Sequence, residues 1–240
     1  MLFNSYEFIF IFLPITLCCF FFIGKLNNKH LAMVWLVLCS LFFYGWWNPT
    51  YLVLIIISMV LNFIIGRRLS KGRETKFRKY LMWFGVFINL FFLGYFKYTN
   101  FLIDQISLIT NFNLQIDHIV LPLAISFFTF QQIAFLVDSY RKETKEFDFL
   151  QYCLFVTFFP QLIAGPIVHH KEMMPQFSNR KILRLDHEAI AIGLIIFTIG
   201  LFKKVIFADG IANYATPVFA EADAGVMLSF FTSWGGISHG

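Results

Sequence analysis

Three short stretches carry polar or ionisable residues inside apolar surroundings, and any chemistry has to be sought there first. In LPLAISFFTFQQIAFLVDSYR, 121–141, Gln131 and Asp138 stand seven residues apart. On a helix they share a face with Phe127 and Phe135, and a lipid-exposed helix must turn such a polar stripe inward. On residue types alone, hydrogen bonds between packed helices explain the stripe as well as a site does. In FFPQLIAGPIVHHKEMMPQF, 158–177, the pair His169 and His170 follows a bend made by Pro160, Gly165 and Pro166. Neighbouring histidines seldom point at one site and no third ligand has suitable spacing, so a solvated cytoplasmic loop is expected rather than a metal or acid-base centre. In GLFKKVIFADGIA, 200–212, Lys203 and Lys204 precede Asp209. Lysines inside a span cost at least about 2.5 kcal/mol each near its centre. They either snorkel to an interface or bind an anionic headgroup or cofactor phosphate. Lys204 and Asp209 are five apart, a poor pairing on a regular helix. One further histidine, His239, lies in SWGGISHG, the eight residues ending at Gly240.

The elements that must hold these residues are set by composition. The 240 residues are 58% hydrophobic and only 14% charged, with 34 Phe and a mean hydropathy of +0.70. That balance excludes ordinary soluble usage and predicts an all-α polytopic membrane protein whose solvent is the lipid bilayer. No phosphate-binding glycine loop, dinucleotide fingerprint, nucleophile elbow or zinc-protease helix occurs, and no internal repeat or pair of broken helices of the transporter kind is seen. Cys18, Cys19, Cys39 and Cys153 all lie in apolar segments without metal-ligand spacing, so they are expected to be packing residues. Neither a metal site nor a nucleic-acid partner is suggested. The N-terminus carries Glu7 and no basic residue before its apolar run, which favours a retained first span over a cleaved signal peptide.

Spans are predicted at about 6–24, 31–47, 50–66, 80–97, 119–140 and 187–208, with a partial one at 226–240. The link RRLSKGRETKFRK holds seven Lys and Arg against one Glu, whereas GWWNPT holds none. The positive-inside rule therefore places the N-terminus outside, the basic loops in the cytoplasm and Trp46 and Trp47 in the outer interfacial belt. After the fourth span, YTNFLIDQISLITNFNLQIDH reads as an amphipathic interfacial helix. The segment 149–167 is nearly long enough to cross, but a full crossing would leave the basic stretch HHKEMMPQFSNRKILR outside. A re-entrant hairpin with its broken backbone buried in protein reconciles the two.

LPLAISFFTFQQIAFLVDSYR, FFPQLIAGPIVHHKEMMPQ and GLFKKVIFAD, in this order and at these separations, resemble the membrane-bound O-acyltransferase family, in its polysaccharide-acetylating branch, from about Trp46 onward. Ala124 stands where the family usually has Gly, Phe135 where an aromatic hydroxyl is common, and His169 where arginine is usual. The last change puts a permanent charge there in doubt, since His is neutral over much of the physiological range. The resemblance implies a helical bundle with a central funnel and tilted or re-entrant helices. It implies an acyl group taken from a cytoplasmic donor, acetyl-CoA or a thioester carrier, with no bound cofactor, and passed to a hydroxyl of an extracellular polysaccharide such as alginate. Bacterial inner-membrane placement and periplasmic or extracellular acetylation partners come with it.

The family's aromatic and Asp-rich stretch and its histidine motifs of the form WRRWHIS and LWHG do not occur in the 240 residues. The resemblance therefore places the family's catalytic histidine beyond Gly240. The expectation is an N-terminal part of a bundle, inactive alone, with His239 a bystander and no catalytic residue among those present. Gln131 and Asp138 are then expected to orient the core, the Pro160 to Pro166 bend to shape the cytoplasmic mouth, Lys203 and Lys204 to meet donor phosphates, and His169 and Asp209 to join them in contacts to substrate or donor. A non-catalytic membrane scaffold for polysaccharide modification and a small-molecule or lipid transporter are the alternatives from other classes.

Overall fold

A computed structural model describes residues 1–71, 75–110, 119–143, 148–164, 173, 176–177 and 179–223. The partial span expected at 226–240, up to Gly240, lies outside the described residues. Among the described residues all regular structure is helical. Two compact units result: Phe12–Arg184, and Leu2–Ile11 together with the chain from Leu185 onward. Five helices are long and apolar enough to cross a membrane: Phe8–Lys25 (α1), Lys29–Trp47 (α2), Pro49–Lys71 (α3), the Lys76–Ile103 portion of a fourth, and His187–Asn213.

Local chemistry sets the boundaries. α1 opens with a π-helical turn, Phe8–Phe12, and ends where Asn27 takes a left-handed φ of 53°. The Asn27 N–H then returns to Gly24 O at 2.9 Å, which satisfies a terminal carbonyl that would otherwise be stranded. Asn28 starts α2 by accepting from the Leu31 N–H at 3.1 Å, and Asn48 accepts from the Thr50 N–H at 2.9 Å just ahead of α3. α3 begins on Pro49, whose missing N–H costs nothing in a first turn.

The fourth helix, α4, runs unbroken over Lys76–Thr110, 35 residues, or about 52 Å. This corrects the expectation of a span followed by a separate interfacial helix: as far as Thr110 the amphipathic run continues the span, and 111–118 lie outside the described residues. The chain coming back is clipped to it by Asn100, which donates to Ile119 O at 2.7 Å and accepts from Ile119 N at 3.1 Å. The Tyr51 hydroxyl donates to the next carbonyl, Val120 O.

α5, Ile125–Tyr140, has 16 residues and starts later than the predicted 119–140, because Leu121 and Pro122 have no regular structure and Ala124 is left-handed at φ 56°. A Cβ in that region crowds the following carbonyl at a cost of about 1–2 kcal/mol, and this is the position where the resemblance expected glycine. Ala124→Gly is therefore expected to raise stability by roughly 0.5–1 kcal/mol after the extra chain entropy of glycine is subtracted. A thermal melt in detergent checks this; a lower melting temperature would rule the strain out.

α6, Phe149–Thr157, has nine residues. That is about 13.5 Å of helix against a hydrocarbon core of about 30 Å, so α6 cannot cross alone. The break falls at Phe158, ahead of Pro160, and α7, Phe159–Ala164, follows it. Pro160 thus sits in a first turn, where its lost N–H is harmless. The buried N-terminal end of α7 is served from α2: Ser40, wholly buried, donates to Leu36 O at 2.8 Å and accepts from Phe159 N at 3.4 Å. Gly165 and Pro166, part of the expected bend, lie outside the described residues.

The core of this unit is aromatic and aliphatic, with Tyr44, Ile55, Phe128, Phe135, Tyr152, Leu154 and Val156 buried in one cluster. α5 packs against α3, α4, α6 and α7 and is gripped through two glycines. A Cβ on Gly66 of α3 would lie 2.3 Å from the Phe135 ring, and one on Gly85 of α4 would lie 2.7 Å from Leu136 Cδ1.

In the second unit α8, His187–Phe202, is capped by Asp186, which accepts from the N–H groups of Glu188 and Ala189. Phe8 packs on Phe197 at 6.4 Å between ring centroids. The helix then loosens into a π-helical turn, Lys203–Ala208, and continues as α9, Asp209–Asp223.

Candidate functional site

The first unit gathers its buried polar groups where α3, α4 and α5 meet. Ser58 and Asn62 stand one turn apart on α3, Asn89 lies on α4 and Gln132 on α5; none is more than 6% exposed. Asn89 Nδ2 donates to Gly85 O at 2.8 Å and to Asn62 Oδ1 at 2.6 Å. Asn62 Nδ2 answers with a bond to Asn89 Oδ1 at 3.2 Å, and donates also to Ser58 O at 2.9 Å and to Gln132 Oε1. The Ser58 hydroxyl completes the set by donating to Gln132 Oε1 at 3.0 Å.

These bonds fix every amide. Gly85 O can only accept, so Asn89 must turn its nitrogen to it; that orients Asn62, and Asn62 orients Gln132. Gln132 Nε2 is then a buried donor that finds no acceptor. Such a group costs about 1–3 kcal/mol and persists only because reversing the amide would set two donors face to face. The cluster contains no titratable group, so it does no acid-base chemistry; it sets the register of three helices.

Gln131 and Asp138 are both buried, as the polar stripe requires, and Phe135 lies with them. Phe127 does not: it is 42% exposed. Gln131 Oε1 has no hydrogen-bond donor, and the neighbouring Gln132, not Gln131, carries the interhelical bonds. Sequence reasoning passed over Ser58, Asn62, Asn89 and Gln132. The signal for them was a polar pair at i, i+4 on α3 and an asparagine inside an apolar span, each of which needs a partner on another helix.

It also passed over Arg78, counted only as a topogenic charge. Arg78 is 5% exposed, donates from its guanidinium to Tyr140 O at the end of α5 and lies 5.0 Å from the Tyr140 ring centroid. A cation at a helix C-terminus and over an aromatic face is doubly favoured. Arg78, Gly85 and Asn89 follow one another at intervals of seven and four, the face of α4 that meets α5.

In the second unit Lys204 and Asp209 form an ion pair. The i, i+5 spacing, poor on an α-helix, is the repeat of a π-turn: the Asp209 N–H donates to Lys204 O, so the two side chains stand side by side. Lys203 is exposed beside them. His169, His170, His239 and Gly240 lie outside the described residues, so the substrate or donor contact expected of His169 and the expected bystander His239 have no described geometry. Among the described residues no group of His, Cys, Asp and Glu could hold a metal ion.

The family model of the membrane-bound O-acyltransferases matches residues 138–234. The chain is 41% identical to the peptidoglycan O-acetyltransferase of Helicobacter pylori over 98% of its own length. Both matches make the chain similar to the membrane-bound O-acyltransferases. It is 36% identical to a probable alginate O-acetylase of Pseudomonas aeruginosa over 92% of its length, and 35% identical to that of Azotobacter vinelandii over 93%. It spans about half the length of these curated relatives: 49%, 42% and 44% respectively. No solved structure matches it. Within the O-acyltransferase match, Asp138 is the first residue and the Lys203–Asp209 turn is included, whereas the amide cluster on α3 to α5 precedes it.

Proposed function

We propose that this chain is part of a membrane O-acetyltransferase that moves an acetyl group from a cytoplasmic thioester, acetyl-CoA or a carrier-bound acyl group, to a hydroxyl of a polysaccharide outside the membrane. The observation that carries the reading is the pair of relatives' names: two different glycans, one reaction. What they have in common is ester formation on a sugar hydroxyl, and the glycan is what varies.

The transfer breaks the thioester C–S bond and forms an O–C bond, the hydroxyl proton passing to the departing thiolate by way of a general base. No residue described above is assigned that base. The bundle's part is to hold a water-poor passage between helices: the re-entrant α6 and α7 supply broken backbone buried in protein, which is tolerated at membrane depth only where it packs on protein or lines a cavity.

The test is chemical. The complete protein in sealed proteoliposomes receives labelled acetyl-CoA on the face of its basic loops and either alginate oligosaccharide or peptidoglycan strands on the other. Label retained on glycan and released by mild alkali is an ester; alkali-stable label is an amide and contradicts the reading. Label on neither glycan overturns it. A transfer that proceeds equally well with acetyl-CoA on the wrong face would overturn the sidedness.

A further inference from the structure

Three buried polar atoms of the first unit have no hydrogen-bond partner on the protein: Gln131 Oε1, Gln132 Nε2 and the Tyr152 hydroxyl. Gln131 is 4% exposed, and Gln132 and Tyr152 are wholly buried, so bulk solvent does not serve these atoms either.

The winding of α5 brings them to one place. Phe135 lies four residues past Gln131 and three past Gln132, so its ring stands one turn on, between the two amide side chains. Phe128, three residues before Gln131 and four before Gln132, closes the same gap one turn back. From α6 the Tyr152 ring meets Phe135 at 4.5 Å and Phe63 of α3 at 5.5 Å between centroids. Phe63 directly follows Asn62, the residue bonded to Gln132. Tyr152 therefore covers the side of the gap, with Phe128 and Phe135 at its two ends.

The three atoms are an acceptor, a donor and a hydroxyl that can act as either. The two amides do not satisfy each other, since a bond from Gln132 Nε2 to Gln131 Oε1 would leave neither without a partner. A cation would face the Gln132 donor and an anion the Gln131 acceptor. What suits all three is a neutral molecule that accepts from one amide, donates to the other and has a bond left for a phenol.

We propose that the gap between Gln131 and Gln132 binds one ordered water molecule. The water accepts from Gln132 Nε2 and from the Tyr152 hydroxyl and donates to Gln131 Oε1. Three bonds are the usual complement of a buried water. One molecule thus relieves three groups, including the Gln132 amide that the bonds from α3 prevent from turning. It also ties α6 to the amide cluster of α3, α4 and α5, so that this short helix takes its register from the same polar group.

The test uses the complete protein in detergent with isotope-labelled glutamine side chains. Wild type is expected to show magnetisation transfer from a long-lived water to one buried glutamine amide, identified as Gln132 by its loss in Gln132→Met. Gln131→Leu, which removes the acceptor, is expected to abolish that transfer while the Gln132 amide signal remains. Tyr152→Phe keeps the ring and takes one bond from the water, and should lower the melting temperature by about 2–4 °C. A hydroxyl that was merely stranded would give the opposite sign, because its removal relieves a desolvation cost. Gln131→Leu and Tyr152→Phe together should lose less than the sum of the two, since the second change acts on a water already displaced. A wild type without the water transfer overturns the site. So does a higher melting temperature for Tyr152→Phe, or strict additivity of the pair. Neither readout involves acetyl transfer, so the outcome is independent of the reaction proposed above.

Discussion

Asn62→Leu is expected to cost about 3 kcal/mol of stability. A single interhelical hydrogen bond in a membrane protein averages only about 0.6 kcal/mol, and on that scale the change would be hardly visible. Asn62 is different because it is the junction of the cluster. Removing it strands Asn89 Oδ1 and takes one of the two donors from Gln132 Oε1, while Gln132 Nε2 is already without an acceptor. One newly stranded buried oxygen at about 1–3 kcal/mol, with the donor lost from Gln132 added to it, outweighs the average bond. The decisive measurement is a double-mutant cycle in detergent with Asn89→Leu. Removing both amides leaves an apolar pair of similar volume, so the double variant should be at least about 1 kcal/mol more stable than the summed single losses predict. Strict additivity would mean that the two amides do not act as a unit.

Gly66→Ala should be about as damaging for a wholly different reason. Its Cβ would stand 2.3 Å from one ring carbon of Phe135 and 2.9 Å from the next. The ring cannot withdraw, since Tyr152 lies behind it at a centroid distance of 4.5 Å and Phe135 is 3% exposed. Overpacking of this kind costs about 1–3 kcal/mol. The remedy identifies the cause: Phe135→Leu in the same chain should recover more than half of the loss, although alone it opens a cavity and destabilises. If the second change deepens the loss, the contact between α3 and α5 is not the one described.

Much of this architecture was legible in the sequence because the bilayer permits so few solutions. The first four long helices follow from apolar runs and charged links, and the break between α6 and α7 from Pro160. The left-handed residue was legible only indirectly, as an alanine where the family prefers glycine; φ 56° supplies the reason. The limits lie where periodicity carries no information. Nothing in the apolar pattern of α4 says that the helix continues to Thr110, because amphipathic and spanning helices share one period. Gln131 and Gln132 are chemically identical neighbours, and only the positions of α3 and α4 decide that Gln132 holds the bundle. The Lys204–Asp209 pair was discounted because a regular helix was assumed, and a π-turn is a property of backbone spacing that residue types do not announce.

That turn has a consequence for how much sequence change the helix tolerates. A π-turn holds one residue more than the α-helical stretch it replaces, so removing a single residue from 205–207 would return the segment to ordinary winding without breaking it. The same deletion would bring Asp209 to the i+4 position from Lys204, the spacing that pairs side chains on a regular α-helix. Loss of one apolar residue there would therefore be harmless to hydropathy, to span length and to the Lys204–Asp209 pair alike.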